Sequence, residues 1–297
     1  MKIASYNGHR LGIIDGDDII DISDLAGVSP EFWPPVGMVK LIAGFDELEA
    51  TIKERIASGS RLPLKDVRLE TPVPWPNKVI AIPANYEEHI EEQKIGTGLI
   101  SPFKASGQGF FLKSNSSLSG PNDPIIVPNI PGRQIHHECE LAIIIGKGGR
   151  EIPKEKALEH VFGYSCLMDI VVRGKEERVM RKSYDTFCPV GPYIVTPDEV
   201  PPHDDINLEL RVNGDVRQKA NTRDMIIDIP EMICMASAVM TLYPGDIIAS
   251  GTPSGVGPIK DGDTVSIHID GVGEMSLAVK GSNTGMHPVW IKDDEKV

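Results

Sequence analysis

Apolar and polar positions alternate in short runs along most of this chain and lengthen to a helical period in only a few places. Residues 2–22 are short apolar stretches broken by Asn7-Gly8 and Asp15-Gly16-Asp17-Asp18, which predicts a meander of three strands. Val39, Leu41, Ile42, Phe45, Leu48, Ile52 and Ile56 then recur at helical spacing and predict one amphipathic helix over 37–57, ending near Gly59. Between 62 and 77, Pro63, Pro72, Pro74 and Pro76 exclude regular helix and leave an extended connector. A boundary is expected there, between a small amino-terminal α/β subdomain (1–70) and a larger domain (71–297). In the larger part 78–82, 110–114, 124–128, 134–146, 162–172, 191–196, 206–213, 246–250, 264–270 and 274–280 read as strands, dense in branched apolar residues. From 110 onward strong helices are expected only at about 153–161, opened by Pro153, and at 224–241. Strands dominate, so the expected class is β-rich α+β, with a curled sheet or sandwich.

Three features interrupt this pattern with chemistry. Glu138 and Glu140 lie two apart in the strand 134–146, so they project from one face roughly 6–7 Å apart, where one small cation could bridge them. A solvated strand face is the plainer reading of that pair. Asp169, however, falls inside the apolar run 162–172, and an unpaired buried carboxylate is costly enough to be paired, protonated or metal-bound. Three carboxylates on two strands would suit a hard cation such as Mg²⁺ or Mn²⁺. The second feature is the stretch 84–109. Asn85 to Glu92 has the makings of one or two helical turns, and Gly96, Gly98, Gly107 and Gly109 follow, as in a hinged lid. His89 and Glu92 share a helical face at i and i+3, although two exposed polar residues would show the same spacing. The third is the Gly-rich loop 250–258, which lacks the Gly-Lys-Ser/Thr ending of a phosphate-binding loop and is read as a tight turn whose backbone and Thr252 line a pocket.

Composition narrows the partners. A net charge of −13 argues against binding nucleic acid, which takes clustered Lys and Arg, so an anionic substrate must be met locally by a metal and a few basic side chains. Cys139, Cys166, Cys188 and Cys234 are far apart and read as reduced core residues. The amino terminus lacks a signal-like apolar run and no stretch approaches the ~20 apolar residues of a membrane span, so a cytoplasmic protein without a membrane partner is expected.

Several motifs in register extend the picture: Asn85-Tyr86-x-x-His89, Phe111-Leu112-Lys113, Glu138-Cys139-Glu140 through Lys147, Asp169-x-x-x-Arg173, Lys182 through Thr186, Gly191-Pro192, Leu242-x-Pro244-Gly245-Asp246 and Gly251-Thr252-Pro253-x-Gly255-Val256-Gly257. Together they resemble the fumarylacetoacetate hydrolase family over about 78–280. The resemblance implies a mixed β-sandwich roll, usually a homodimer, with Mg²⁺ or Mn²⁺ held at Glu138, Glu140 and Asp169. It implies action on small oxo acids: hydrolysis of a carbon–carbon bond in a 2,4-dioxo acid of the acylpyruvate kind, decarboxylation, or isomerisation of a hydroxydienoate. In that scheme His89 and Glu92 activate water, and Lys182 and Arg173 serve the developing oxyanion or the substrate carboxylate. Tyr86 and Thr252 are further substrate contacts. A non-catalytic protein holding a structural Ca²⁺ is the reading of another class. Where many members have Arg-Asp-x-Gln this chain has Arg173-Gly174-Lys175-Glu176, so a carboxylate replaces an amide and either disfavours a substrate anion or makes a different contact. His136 shares the face of Glu138, as a group near the metal or as a satisfied core histidine.

Overall fold

The computed structural model describes residues 1–97 and 105–285. Its frame is a twelve-stranded sheet whose centre is Cys139–Ile145, antiparallel to Val161–Met168 on one side and to Ile247–Ala249 on the other. All seven residues of Cys139–Ile145 are buried. Cys139, Leu141, Ile143 and Ile145 face one core with Leu208, Ile267 and Leu277, whereas Ala142 and Ile144 face a second core with Ile3, Leu41 and Ile52. A strand covered on both faces needs a continuous apolar run rather than alternation, and Leu141 to Ile145 is that run.

The first core is closed by a five-stranded sheet, ordered Asp215–Asn221, Asn207–Val212, Thr264–Ile269, Gly273–Ser282 and Ile125–Pro128. The two layered sheets bear out the β-rich α+β expectation. The three strands of the amino-terminal meander, Lys2–Tyr6, Arg10–Asp15 and Asp18–Asp21, lengthen the large sheet, because Lys2–Tyr6 pairs with Cys188–Val195 in the register Lys2↔Val195. Residues before 70 thus share a sheet and a core with those after it.

Three expectations on elements are corrected. The helix over 37–57 is two helices, Gly37–Ala43 and Phe45–Ser58. They part at Gly44, whose lack of a side chain makes it the least costly place to leave helical geometry. The helix expected over 224–241 is shorter, Ile229–Val239, because the Asp228 carboxylate caps it by accepting from the Glu231 N–H at 2.8 Å. Lys154–His160 winds as a 3₁₀ helix rather than an α-helix. The strands that escape the hydrophobic pattern include Gly257–Ile259, and Asp215–Asn221, in which Gln218 is the one fully buried residue.

Candidate metal centre and active site

Two strands change sheets at the same level, and that crossover positions the acidic residues. Ile135–His137 pairs with Val171–Val172 in a three-stranded sheet, while Cys139–Ile145 pairs with Val161–Met168 in the large one. The single strand expected over 134–146 is therefore bent at Glu138, and Asp169 occupies the matching bend of its neighbour. The Asp169 N–H donates to the Glu138 carbonyl at 2.9 Å and ties the two bends together. Glu140 lies two residues on, along the face of Ala142 and Ile144. Glu138, Glu140 and Asp169 are 5%, 2% and 1% exposed, and each offers an oxygen within 4.8 Å of the others'.

Such a concentration of buried carboxylates needs positive charge. Lys113 Nζ donates to Asp169 Oδ1 at 2.5 Å, and to the carbonyls of Lys182 and Phe187 at 2.8 and 3.3 Å. Lys182 Nζ donates to Glu138 Oε2 at 2.6 Å and also to Asp169, and Arg173 Nη2 reaches Glu138 Oε1 at 3.3 Å. Burial would raise the Glu138 carboxyl, but Lys182 and Arg173 outweigh it and hold the pKa down to about 2. Glu140 fares differently: burial, and after it the charge of Asp169, push its pKa well above the carboxylate range. The Gly251 N–H donates to its Oε2 at 2.9 Å. Gly251 has φ +85°, and a Cβ there would come within 2.6 Å of the Asn85 Cβ, so only glycine brings this amide to Glu140. Three hard oxygen donors, one of them short of positive charge, fit a hard divalent cation of the Mg²⁺ or Mn²⁺ kind.

A cavity of about 690 Å³ opens onto this triad. His89 and Glu92 line it from the helix Glu87–Thr97, with His89 Nδ1 and Glu92 Oε2 3.2 Å apart. Burial acts to raise the Glu92 carboxyl, but His89 and the Gly255 N–H, donating at 3.1 Å, leave it lowered and ionised at neutral pH. Gly255 has φ +95°, and a Cβ there would stand 1.8 Å from the Arg217 carbonyl, so this anchor of the dyad also depends on glycine. Thr252 lines the same cavity, and its Oγ1 accepts from Gln218 Nε2 at 2.7 Å, which directs the hydroxyl proton elsewhere. Gln218 Oε1 meanwhile accepts from the Cys139 N–H at 2.9 Å and faces His137 Nδ1 at 3.0 Å.

The structure thus gathers His89, Glu92, Lys182, Arg173 and Thr252 around Glu138, Glu140 and Asp169. Tyr86 is not among the cavity-lining residues: it is 3% exposed, with its hydroxyl buried and without a hydrogen-bond partner among the described residues. The expected lid is represented by the helix Glu87–Thr97 and the short turn Ala105–Gln108, while 98–104, including Gly98, lies outside the described residues. Of the two histidines, His137 is the buried core residue. His136 lines the cavity, and its Nδ1 accepts from Arg173 Nε at 3.0 Å. Burial, then Arg173, lower the His136 pKa to about 4, so the ring is a neutral acceptor that orients Arg173. Glu176 does not face the substrate space; it accepts from Arg133 Nη2 at 2.9 Å, the different contact that the sequence left open. Sequence reasoning assigned no role to Lys113, Gln218, Arg178 or Arg181. Lys113 was within reach of it, since a lysine closing an apolar strand needs a buried acid as partner.

Residues 78–280 match the family model of the fumarylacetoacetate hydrolase carboxy-terminal domain. The chain belongs to the fumarylacetoacetate hydrolase family. The family's members similar to it include the maleylpyruvate hydrolase of Aquipseudomonas alcaligenes, 43% identical over 286 residues that cover 94% of this chain and 99% of that one. The oxaloacetate tautomerase YisK of Bacillus subtilis is 34% identical, covering 93% and 99%. Among solved structures, maleylpyruvate hydrolase from Sphingobium sp. SYK-6 in complex with manganese(II) and pyruvate superposes with a TM-score of 0.86 at 52% identity, over 95% of this chain and all of that one.

Proposed function

We propose that this family member is a divalent-metal-dependent hydrolase that cleaves the carbon–carbon bond of an acylpyruvate, with maleylpyruvate, for which two of its relatives are named, as the substrate. The observation that carries the reading is the meeting of the buried carboxylate triad with the His89–Glu92 pair across one cavity. Glu138, Glu140 and Asp169 would hold Mn²⁺ or Mg²⁺. Bound there, such a cation would supply an electrophile for the negative charge that develops as the carbon–carbon bond breaks.

The remaining steps fall to side chains. Glu92 fixes the His89 ring through Nδ1, and the imidazole takes a proton from water as the water's oxygen bonds to the acyl carbonyl carbon. The bond between that carbon and the pyruvyl methylene then breaks, its electron pair staying with the pyruvyl fragment. The proton held on His89 returns to that fragment's methylene carbon and gives pyruvate and the free acid. Thr252 donates to the substrate from the loop side, because Gln218 Nε2 donates to its oxygen and leaves the hydroxyl proton free to turn toward the cavity. Lys182 keeps Glu138 ionised, and Lys113 and Lys182 hold Asp169 in place by donating to its carboxylate. By the same resemblance the enzyme would be a homodimer of the cytoplasm, where Cys139, Cys166, Cys188 and Cys234 stay reduced as they stand here.

The tautomerase relative keeps a second reading alive, in which the same centre moves a proton without water attack. Incubation of the Mn²⁺-loaded protein with maleylpyruvate separates the two. Pyruvate and maleate released in equal amounts support hydrolysis; a shifted double bond or carbon dioxide alone would overturn it.

A further inference from the structure

Arg178 and Arg181 stand three apart on the single helical turn Arg178–Arg181 and both line the cavity. Neither has a carboxylate partner among the described residues. Arg178 Nη2 donates to the Gln108 side-chain oxygen at 2.8 Å, and its guanidinium lies over the Phe111 ring at 5.2 Å. Arg181 donates through Nε to the Glu176 carbonyl at 2.7 Å and through Nη1 to the Val172 carbonyl at 3.3 Å. These are neutral acceptors. Every other described arginine either pairs with a carboxylate or lies exposed, so these two are the half-buried guanidiniums whose charge the protein leaves unbalanced.

Burial lowers the pKa of both, and at Arg181 the like charges of Arg173 and Arg178 push the same way. A guanidinium cannot shed its proton near neutral pH, so the strain is relieved by an anion or not at all. Arg173 is not available for that, being engaged with Glu138 and His136. The Phe111 ring carries Lys182 Nζ at 5.5 Å as well as Arg178, which sets the guanidinium pair beside the carboxylate centre on one wall but off it.

We propose that Arg178 and Arg181 form a second anion subsite, which receives a carboxylate at the far end of the acyl group and so selects dicarboxylic acylpyruvates. The planar forks suit a carboxylate, and Arg178 Nε and Nη1 and Arg181 Nη2 have no acceptor among the described residues. This inference rests on the acylpyruvate reading, and two measurements keep their failures apart.

The first compares maleylpyruvate, whose acyl group ends in a carboxylate, with 2,4-dioxopentanoate, whose acyl group ends in a methyl. Arg178→Gln and Arg181→Gln should each lower the ratio of kcat/KM for the first over the second by about 100-fold, the size of effect seen when one partner of a desolvated charge pair is removed. A ratio that stays within about threefold, well inside the effect of losing such a contact, overturns the subsite. The second is calorimetric titration of maleate into protein loaded with Mn²⁺ and saturated with pyruvate, which reads the far end without turnover. Binding weakened at least tenfold by Arg178→Gln supports the subsite, and equal binding to variant and parent overturns it. If the parent releases pyruvate from neither dioxo acid, the acylpyruvate reading has failed, and the titration alone decides the subsite.

Discussion

Among the described residues, two buried lysine–carboxylate systems invite comparison, and only one lines the candidate site. Lys78 and Asp246 make a closed pair. Lys78 Nζ donates to Asp246 Oδ2 at 2.5 Å, and the Lys78 and Tyr243 N–H groups donate to the same carboxylate at 3.1 and 2.7 Å. The Tyr243 ring lies 4.8 Å from the ammonium, and the assembly locks the start of Val79–Ala81 beside its parallel neighbour Ile247–Ala249. One acid meets one base, and neither lines the cavity at the triad. At the triad three acids share Lys113, Lys182 and Arg173 unevenly, so Glu138 is held ionised while Glu140 is starved of positive charge, and a cavity opens on the result. Burial of charge is common to both. Uneven neutralisation facing open space is what distinguishes the candidate site.

That contrast breaks if the two acids respond alike to removal. The largest effect is expected from Glu140→Gln, which keeps an acceptor for the Gly251 N–H but removes a metal oxygen: activity should fall by about 10³-fold or more and Mn²⁺ affinity with it. The metal-free protein should be no less stable, because the substitution deletes a strained charge. Retained Mn²⁺ binding would remove Glu140 from the centre. His89→Ala should cost about 10²–10⁴ in kcat, the usual worth of a general base, with Mn²⁺ affinity within a few-fold of the parent's. A loss of metal binding instead would show that His89 supports the site and not the water. Asp246→Ala strands the buried Lys78 ammonium and should cost about 3–5 kcal/mol of stability in urea unfolding, while kcat per folded molecule stays put. A fall in kcat without a fall in stability would erase the distinction between the two systems.

The same contrast explains what could be read from sequence. An aspartate in an apolar run pointed to Asp169, which is buried beside Lys113 and Lys182, yet Asp246, next to Ile247-Ile248, meets that criterion too and sits in a closed pair with Lys78. Local pattern registers that a charge is buried; whether its partners balance it is a question of long-range pairing, as between Lys113 and Asp169. Strands rich in Ile and Val were legible, whereas Asp215–Asn221 was not, because an edge strand with one inward residue has no apolar period to show. Gln218 was hidden with it, and so was the reason why His137, and not His136, is the core histidine. The i, i+3 spacing of His89 and Glu92 was visible. That of Arg178 and Arg181 was equally present, but an unpaired arginine is recognised only after the carboxylates around it have been assigned.

The smallest predicted effect tests uneven neutralisation most directly, through pH. Glu140 in the folded protein keeps its proton to a higher pH than in the unfolded chain, where its ordinary value is 4.5. Such a raised carboxyl favours folding most at low pH, and that contribution is lost as pH rises from about 4.5 through the folded pKa. Glu138, held at about 2, works in the opposite sense: its contribution is complete above 4.5 and disappears only as pH falls toward 2, so it is silent above pH 5. The metal-free protein should therefore melt at progressively lower temperature between pH 5 and pH 8, by at most roughly 2 °C per pH unit for one proton. Asp246, whose carboxyl is also raised by burial, contributes with the same sign, so the comparison that isolates Glu140 is parent against Glu140→Gln. The variant should flatten the slope without metal, and saturating Mn²⁺ should flatten the parent's. A slope that survives both would place the titrating charge outside the triad, and the starved carboxylate would no longer separate this centre from the closed pair at Asp246.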